Sequence, residues 1–258
     1  MRGKAPTGAP DGPPVSKLNL KARYSRYVSS LKAGGHAEAM QLAVGGQFDT
    51  VGILEREVLR SFGLQPRHLL VDVGCGSGRL AIPLSRDHPG GYLGTDLVEE
   101  LLDYARVRCA RPDWRFEAVD ALAIPAPDAS ADMVCFFSVL THLLHEQSYL
   151  YLEEARRVLR PGGRMVFSFL EFTVPHHRAI FDQTVESARG SDIHPLNVLV
   201  ERSAIAHWSA RLGLPVLAFR DATDPFIALP EPVTTEDGRV LSGKVFFGQS
   251  ICVLEKPA

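Results

Sequence analysis

Apolar positions change their spacing along this chain, and the changes mark its elements. From residue 21 to residue 62 they recur at helical intervals, broken at Gly34-Gly35 and again at Gly45-Gly46. In the last piece Val51, Leu54, Val58 and Leu59 share one face, and Gly63 supplies a stop. From residue 68 short apolar runs take over. Residues 68–73 run straight into glycines, as a strand buried on both faces does. The pattern then predicts a helix over 79–86, a strand over 92–96, and a helix whose inner face is Val98, Leu101, Leu102 and Ala105. Strands follow over 114–119 and 133–137. A helix directs Leu152, Ala155, Val158 and Leu159 inward, and Pro161-Gly162-Gly163 turns the chain into a fifth strand over 164–169. Strands alternating with helices imply a parallel sheet covered on both faces.

The end of the chain breaks the rhythm. After a helix over 203–212, residues 214–219 read as a sixth strand, some 25 loop-like residues follow, and 248–255 reads as the last strand. With no helix between them, these two strands are expected to pair antiparallel. Three units emerge: a loose tail over 1–17, a helical cap over 18–62, and an α/β domain over 63–258 with insertions near 170–205 and 221–247. The tail holds Pro6, Pro10, Pro13, Pro14 and three glycines, and too little apolar surface to offset ordering.

Composition excludes several classes. A net charge of −2 provides no basic field for nucleic acid. No apolar run reaches the length of a membrane span, and the N-terminus lacks the apolar stretch of a secretory signal. Cys75, Cys109, Cys135 and Cys252 have no CxxC spacing, so neither zinc nor a redox dithiol is expected, and a reducing, cytoplasmic setting is the simplest one. The adjacent pair His176-His177 lacks the helical-turn spacing of a metal pair, so no metal site is expected.

The chemistry concentrates in Asp72-Val73-Gly74-Cys75-Gly76-Ser77-Gly78. Glycines let backbone turn sharply and approach a ligand, and the following helix aims unpaired N–H groups at it. Asp96 ends the second strand, where a carboxylate accepts from the two ribose hydroxyls of an adenosine. Leu97 is placed to pack on adenine. Asp120 follows the third strand, where it is placed to accept from the adenine amine, and Ala121 beside it leaves room for the ring.

These residues, with Ala131-Asp132-Met133-Val134 and Leu159-Arg-Pro-Gly-Gly163, resemble the class I S-adenosylmethionine-dependent methyltransferases in order and spacing, over roughly residues 69–168 and the last strand. The resemblance implies a Rossmann-like seven-stranded sheet of order 3-2-1-4-5-7-6, strand seven antiparallel, with an N-terminal helical lid. It implies S-adenosyl-L-methionine as cofactor, with Gly74, Gly76 and Gly78 at its methionine and ribose and the backbone of Phe137 and Ser138 along the sulfonium. It also implies a small-molecule acceptor, methylated by in-line displacement.

Asp72 has two readings, support of the loop or contact with the methionine ammonium. His142, on the rim after strand four, has two as well: a general base, or a cap within its loop. Glu171, past strand five, also has two readings: a group that positions a substrate amine or hydroxyl, or, preferred, a plain surface carboxylate. Tyr24, Tyr27 and Phe48 lie on the segment expected to fold over the cofactor. The insertions, carrying Pro175, Phe181, Pro195 and Leu196, and Pro225, Phe226, Ile227 and Leu229, predict an apolar pocket over the sulfonium. Two rival classes remain: a cofactor-binding module without catalysis, and a nicotinamide-dependent oxidoreductase. The dinucleotide fingerprint requires its third glycine where Arg79 stands.

Overall fold

A computed structural model describes residues 17–35, 38–189 and 197–258. The tail expected over 1–17 lies outside these, save Lys17, as do Pro195 and Leu196. The helical region resolves into α1 (Lys17–Ala33), α2 (Ala39–Leu42) and α3 (Phe48–Ser61). Gly45 and Gly46 turn the chain between the last two at positive φ, 75° and 70°. Gly63 ends α3 as expected, at φ 95°: its N–H donates to the Arg60 carbonyl, and the Leu64 N–H reaches back to the Leu59 carbonyl.

The α/β part runs β1 (Leu70–Val73), α4 (Ala81–Ser85), β2 (Tyr92–Asp96), α5 (Glu99–Cys109), β3 (Arg115–Ala118), β4 (Ala131–Phe136), α6 (His145–Val158) and β5 (Leu159–Phe169). A helix that periodicity did not predict follows, α7 (Pro175–Arg189), then α8 (Arg202–Leu212) and β6 (Val216–Arg220). The loop-like stretch contains four two-residue strands: β7 (Ile227–Ala228), β8 (Val233–Thr234), β9 (Val240–Leu241) and β10 (Lys244–Val245). They pair antiparallel as β7 with β10 and β8 with β9. The last strand is β11 (Ser250–Glu255).

Seven strands form the main sheet in the order β3-β2-β1-β4-β5-β11-β6, with β11 antiparallel to both neighbours. This is the expected order, with β11 in the place of the seventh strand. Side chains alternate between two apolar layers, as the two-residue period of a strand requires. Leu70, Met133, Val166 and Val253 join α3, α4 and α5 on one face. Val71, Val134, Phe167 and Leu254 join α6 and α8 on the other. The order reverses between β1 and β4, so the chains leaving these strands diverge and open a crevice at their C-terminal ends. The described residues contain no helix long and apolar enough to cross a membrane.

Candidate cofactor and acceptor site

A cavity of about 510 Å³ occupies that crevice. The glycine loop forms its floor. Gly74, Gly76 and Gly78 all have positive φ, at 72°, 54° and 86°. A side chain at Gly76 would lie 2.4 Å from Val44 Cγ1, and one at Gly74 would lie 2.5 Å from Val139 Cγ2, so both positions must stay bare. Gly78 instead lets the loop pack closely against α5, its would-be Cβ 2.9 Å from that of Ala105. The loop is tied to the end of β2: the N–H groups of Gly74 and Cys75 donate to the Thr95 carbonyl at 2.7 and 2.9 Å.

Asp96 completes this tie. Its Oδ2 accepts from the Gly76 N–H at 3.0 Å and its Oδ1 from the Val98 N–H at 2.9 Å. The carboxylate keeps acceptor capacity for a further donor from the cavity. Burial raises its pKa, and the backbone donors oppose that. Leu97, next to it, also lines the cavity. Asp120 is exposed and Ala121 half-buried; the wall closes here on Val119 and on Tyr151, whose hydroxyl donates to the Ala121 carbonyl at 3.4 Å.

Asp72 faces sideways into the sheet. It accepts from the Tyr92 hydroxyl at 2.7 Å and from Cys135 Sγ at 3.5 Å, so its partners are neighbouring strands. It nonetheless lines the cavity, and burial pushes its pKa up to about 7. The sign of the consequence is fixed. A carboxyl whose folded-state pKa is raised contributes stability below its unfolded pKa and loses it as pH rises toward 7. His68, His88 and His177, with lowered values, act oppositely. Compared with Asp72→Asn, the ligand-free protein should therefore lose stability between pH 4 and 7 at a slope approaching about 1.4 kcal/mol per pH unit. Denaturant titrations of both proteins at several pH values check this; parallel curves would refute it.

Two residues unmarked by the motif dominate the wall opposite β1. Arg79 Nη2 donates to Glu55 Oε1 at 2.5 Å, and Nη1 to the Val44 carbonyl at 3.0 Å. Glu55 is 1% exposed, and burial raises its pKa against the pull of Arg79. Helix α3 presses so closely here that a Cβ on Gly52 would lie 2.1 Å from the Arg79 carbonyl oxygen. Glu55 was readable as a carboxylate inside the apolar stripe Val51, Leu54, Val58, Leu59; its partner, 24 residues on, was not.

Phe137 and Ser138 line the cavity after β4. Ser138 sits at φ 59°, unusual for a residue with a side chain. Its N–H donates to Ser168 Oγ at 2.8 Å, and Thr141 Oγ1 donates to its carbonyl. His142 follows in the 3-10 turn Leu140–His142, edge-on to Tyr24 with ring centroids 5.7 Å apart. Burial, then Asp96, raises the Tyr24 hydroxyl pKa. Tyr24 and Tyr27 of α1 both reach the cavity; Phe48 packs in the core beneath.

Three expectations need correction. The second insertion does not overlie the cavity. Its Phe226, Ile227 and Leu229 pack into the core beside α3, because they find apolar partners there, Phe62 among them. Its Glu236 instead caps α3, accepting from the Asp49 and Thr50 N–H groups at 2.7 and 3.2 Å. The first insertion does reach the cavity, but with polar groups: Gln183, Thr184, Ser187 and Asn197. Glu171 is 1% exposed, not a surface carboxylate, since Arg202 Nε and Nη2 clamp it at 2.9 and 2.8 Å and Ser250 donates to it. His177 Nδ1 accepts from the Glu171 N–H at 3.1 Å, so Nε2 carries the proton that faces the Gly248 carbonyl.

The residues present fit an adenosyl cofactor. The bare backbone of Gly74 and Gly76 lines the cavity, where a ligand can approach the amides closely, and the buried Thr95 Oγ1 on the cavity wall has no partner. Sequence comparison agrees. Residues 70–163 match the methyltransferase domain family. The demethylmenaquinone methyltransferase of Deinococcus radiodurans is 42% identical over 114 residues, 43% of this chain and 45% of that protein. The 27-O-demethylrifamycin SV methyltransferase of Amycolatopsis mediterranei is 35% identical over 100 residues, 37% of this chain and 36% of its own. The chain thus spans less than half the length of these relatives. Among solved structures, magnesium protoporphyrin IX methyltransferase of Synechocystis, with bound SAH, shares the fold at 15% identity and TM-score 0.58, over 91% of this chain and 99% of that one.

Proposed function

The chain carries a class I S-adenosylmethionine-dependent methyltransferase domain over residues 70–163, and from that premise we propose that it transfers the methyl group of S-adenosylmethionine to a small organic acceptor. The observation that carries this reading is the cavity itself: one continuous space joins the glycine loop, Asp96 and Leu97 to the His142 turn. When bound, the cofactor supplies a methyl group on a sulfonium, which leaves as a neutral thioether.

The residues have the following roles. Asp96 accepts the ribose hydroxyls with its remaining lone pairs. The loop amides face the methionine end, Asp72 braces the floor beneath them through Tyr92 and Cys135, and Leu97 packs on the adenine. Asp120 and Ala121 stand at the exposed rim beyond Val119 and Tyr151, where the adenine edge emerges. The backbone at Phe137 and Ser138 borders the reacting centre, where good alignment contributes most of the acceleration. Helices α1 to α3 form a cap that excludes water, with Tyr24 and Tyr27 as its inner face. His142 takes the proton of a hydroxyl acceptor as the new bond to carbon forms.

Calorimetric titration tests this reading. S-adenosylmethionine and its demethylated product SAH should both bind, and NAD should not. Binding of NAD alone, or of none of the three, would return the choice to the oxidoreductase reading or to no cofactor at all. The Arg79 geometry disfavours NAD: the side chain is committed to Glu55 and Val44 where a dinucleotide loop needs a glycine.

A further inference from the structure

The cavity is divided by charge. Among the described residues that line it, the ionised pairs and carboxylates, Glu55, Arg79, Asp72 and Asp96, all stand at the glycine loop and are engaged there. The other end carries aromatic, hydroxyl and amide groups and the His142 imidazole. We propose that this end is an acceptor subsite selective for an uncharged, ring-bearing molecule with polar substituents, and that α7 sets that selectivity; the inference rests on the methyltransferase reading.

Two walls build the subsite. Tyr24 and Tyr27 come from α1, and the edge-on contact of Tyr24 with His142 fixes both rings at the boundary with the cofactor end. Opposite stands α7. Gln183, Thr184 and Ser187 fall one and four positions apart, so the helix turns them to a common side, toward the cavity. This wall is locked from behind. The Asn197 N–H and its side-chain amide both donate to Thr184 Oγ1 at 3.3 Å. The Val198 N–H donates to the Thr141 carbonyl at 2.6 Å, tying the segment to the turn that carries His142.

Hydroxyls and amides both donate and accept, which suits neutral polar substituents. A carboxylate or phosphate entering here would give up its hydration with no lysine or arginine among the described lining residues of this end to replace it. The same lack of charge disfavours an acceptor that enters as an ammonium ion. Ring faces on the α1 side favour a planar partner. A volume of about 510 Å³ shared with the cofactor limits the acceptor to a compact molecule. Sequence periodicity did not expose this wall, because α7 buries only His177 among the described side chains and its cavity side is polar.

The test uses a matched pair of probes, methyl 4-hydroxybenzoate and 4-hydroxybenzoate, which share ring and phenol and differ in one charge. SAH is titrated first; if it fails to bind, the methyltransferase reading falls and takes this inference with it. With the protein saturated in SAH, ligand-detected NMR titration should show the ester binding at least about tenfold more tightly than the carboxylate. Gln183 is exposed at the mouth, so Gln183→Arg should fold normally and leave SAH affinity unchanged. That variant should raise carboxylate affinity about tenfold and so narrow or reverse the preference for the ester. Equal or tighter binding of the carboxylate by the original protein, no binding of either probe, or no response to Gln183→Arg would each overturn the assignment while leaving the cofactor reading intact.

Discussion

Asp96→Ala should weaken SAH binding at least about 100-fold while the protein stays folded. The carboxylate has two duties. It holds the loop, through the Gly76 and Val98 amides, and it presents its remaining lone pairs to the cavity. Hydrogen bonds to a charged partner contribute about 1.5–3 kcal/mol each, and a ribose diol offers two, so their joint loss corresponds to two or more powers of ten in affinity. The Gly76 amide freed by the substitution is at the cavity edge, where water replaces the carboxylate, so the thermal midpoint should drop only by a few degrees. Asp96→Asn separates the duties: its amide oxygen still accepts, but one acceptor position becomes a donor, and affinity should fall between the two. Calorimetry at constant salt reads both. Affinity within about threefold of the original protein for Asp96→Ala would remove Asp96 from the ribose site.

Arg79→Met should cost about 3–5 kcal/mol of stability, because it strands Glu55 at 1% exposure without its guanidinium. The loss is a large part of the 5–15 kcal/mol that folded domains possess, and in a chain of this size corresponds to roughly 10 °C in thermal midpoint. The paired variant Glu55→Gln with Arg79→Met should recover most of it, since no buried charge then remains. The pH profile identifies the cause. In Arg79→Met the Glu55 pKa rises further, so stability is retained near pH 4 and lost toward pH 8, a deficit larger in base than in acid. A deficit independent of pH, or a double variant as weak as the single, would show that Arg79 acts by packing alone.

The main sheet was readable because β1 runs into Gly74, β2 ends at Asp96, and both faces are covered, leaving no amphipathic ambiguity at Leu70–Val73 or Ala131–Phe136. Helix α7 was not, since it buries only His177 and its wall toward the cavity is polar. Nor were β7 to β10, at two residues each too short for any period. In the site, the glycine loop and Asp96 announce themselves because backbone geometry restricts residue choice over a few consecutive positions. Glu55 and Arg79 meet across a fold, and nothing local to either names the other. The apolar insertion around Phe226 misled for a related reason: hydrophobicity says that a segment is buried, not what it is buried against.

The position of β11 sets a constraint in time. It lies between β5 and β6, so β6 has no place in the sheet until Ser250–Glu255 has been made. During synthesis β5 is therefore complete while its outer edge, with Met165, Val166, Phe167 and Phe169, waits for a partner. At about 5–20 residues per second, the stretch of some 80 residues that separates the two strands takes roughly 4–16 s to emerge. For that interval an apolar strand edge stands open to any passing chain, and the nascent domain stays adhesive until Ser250–Glu255 covers that edge.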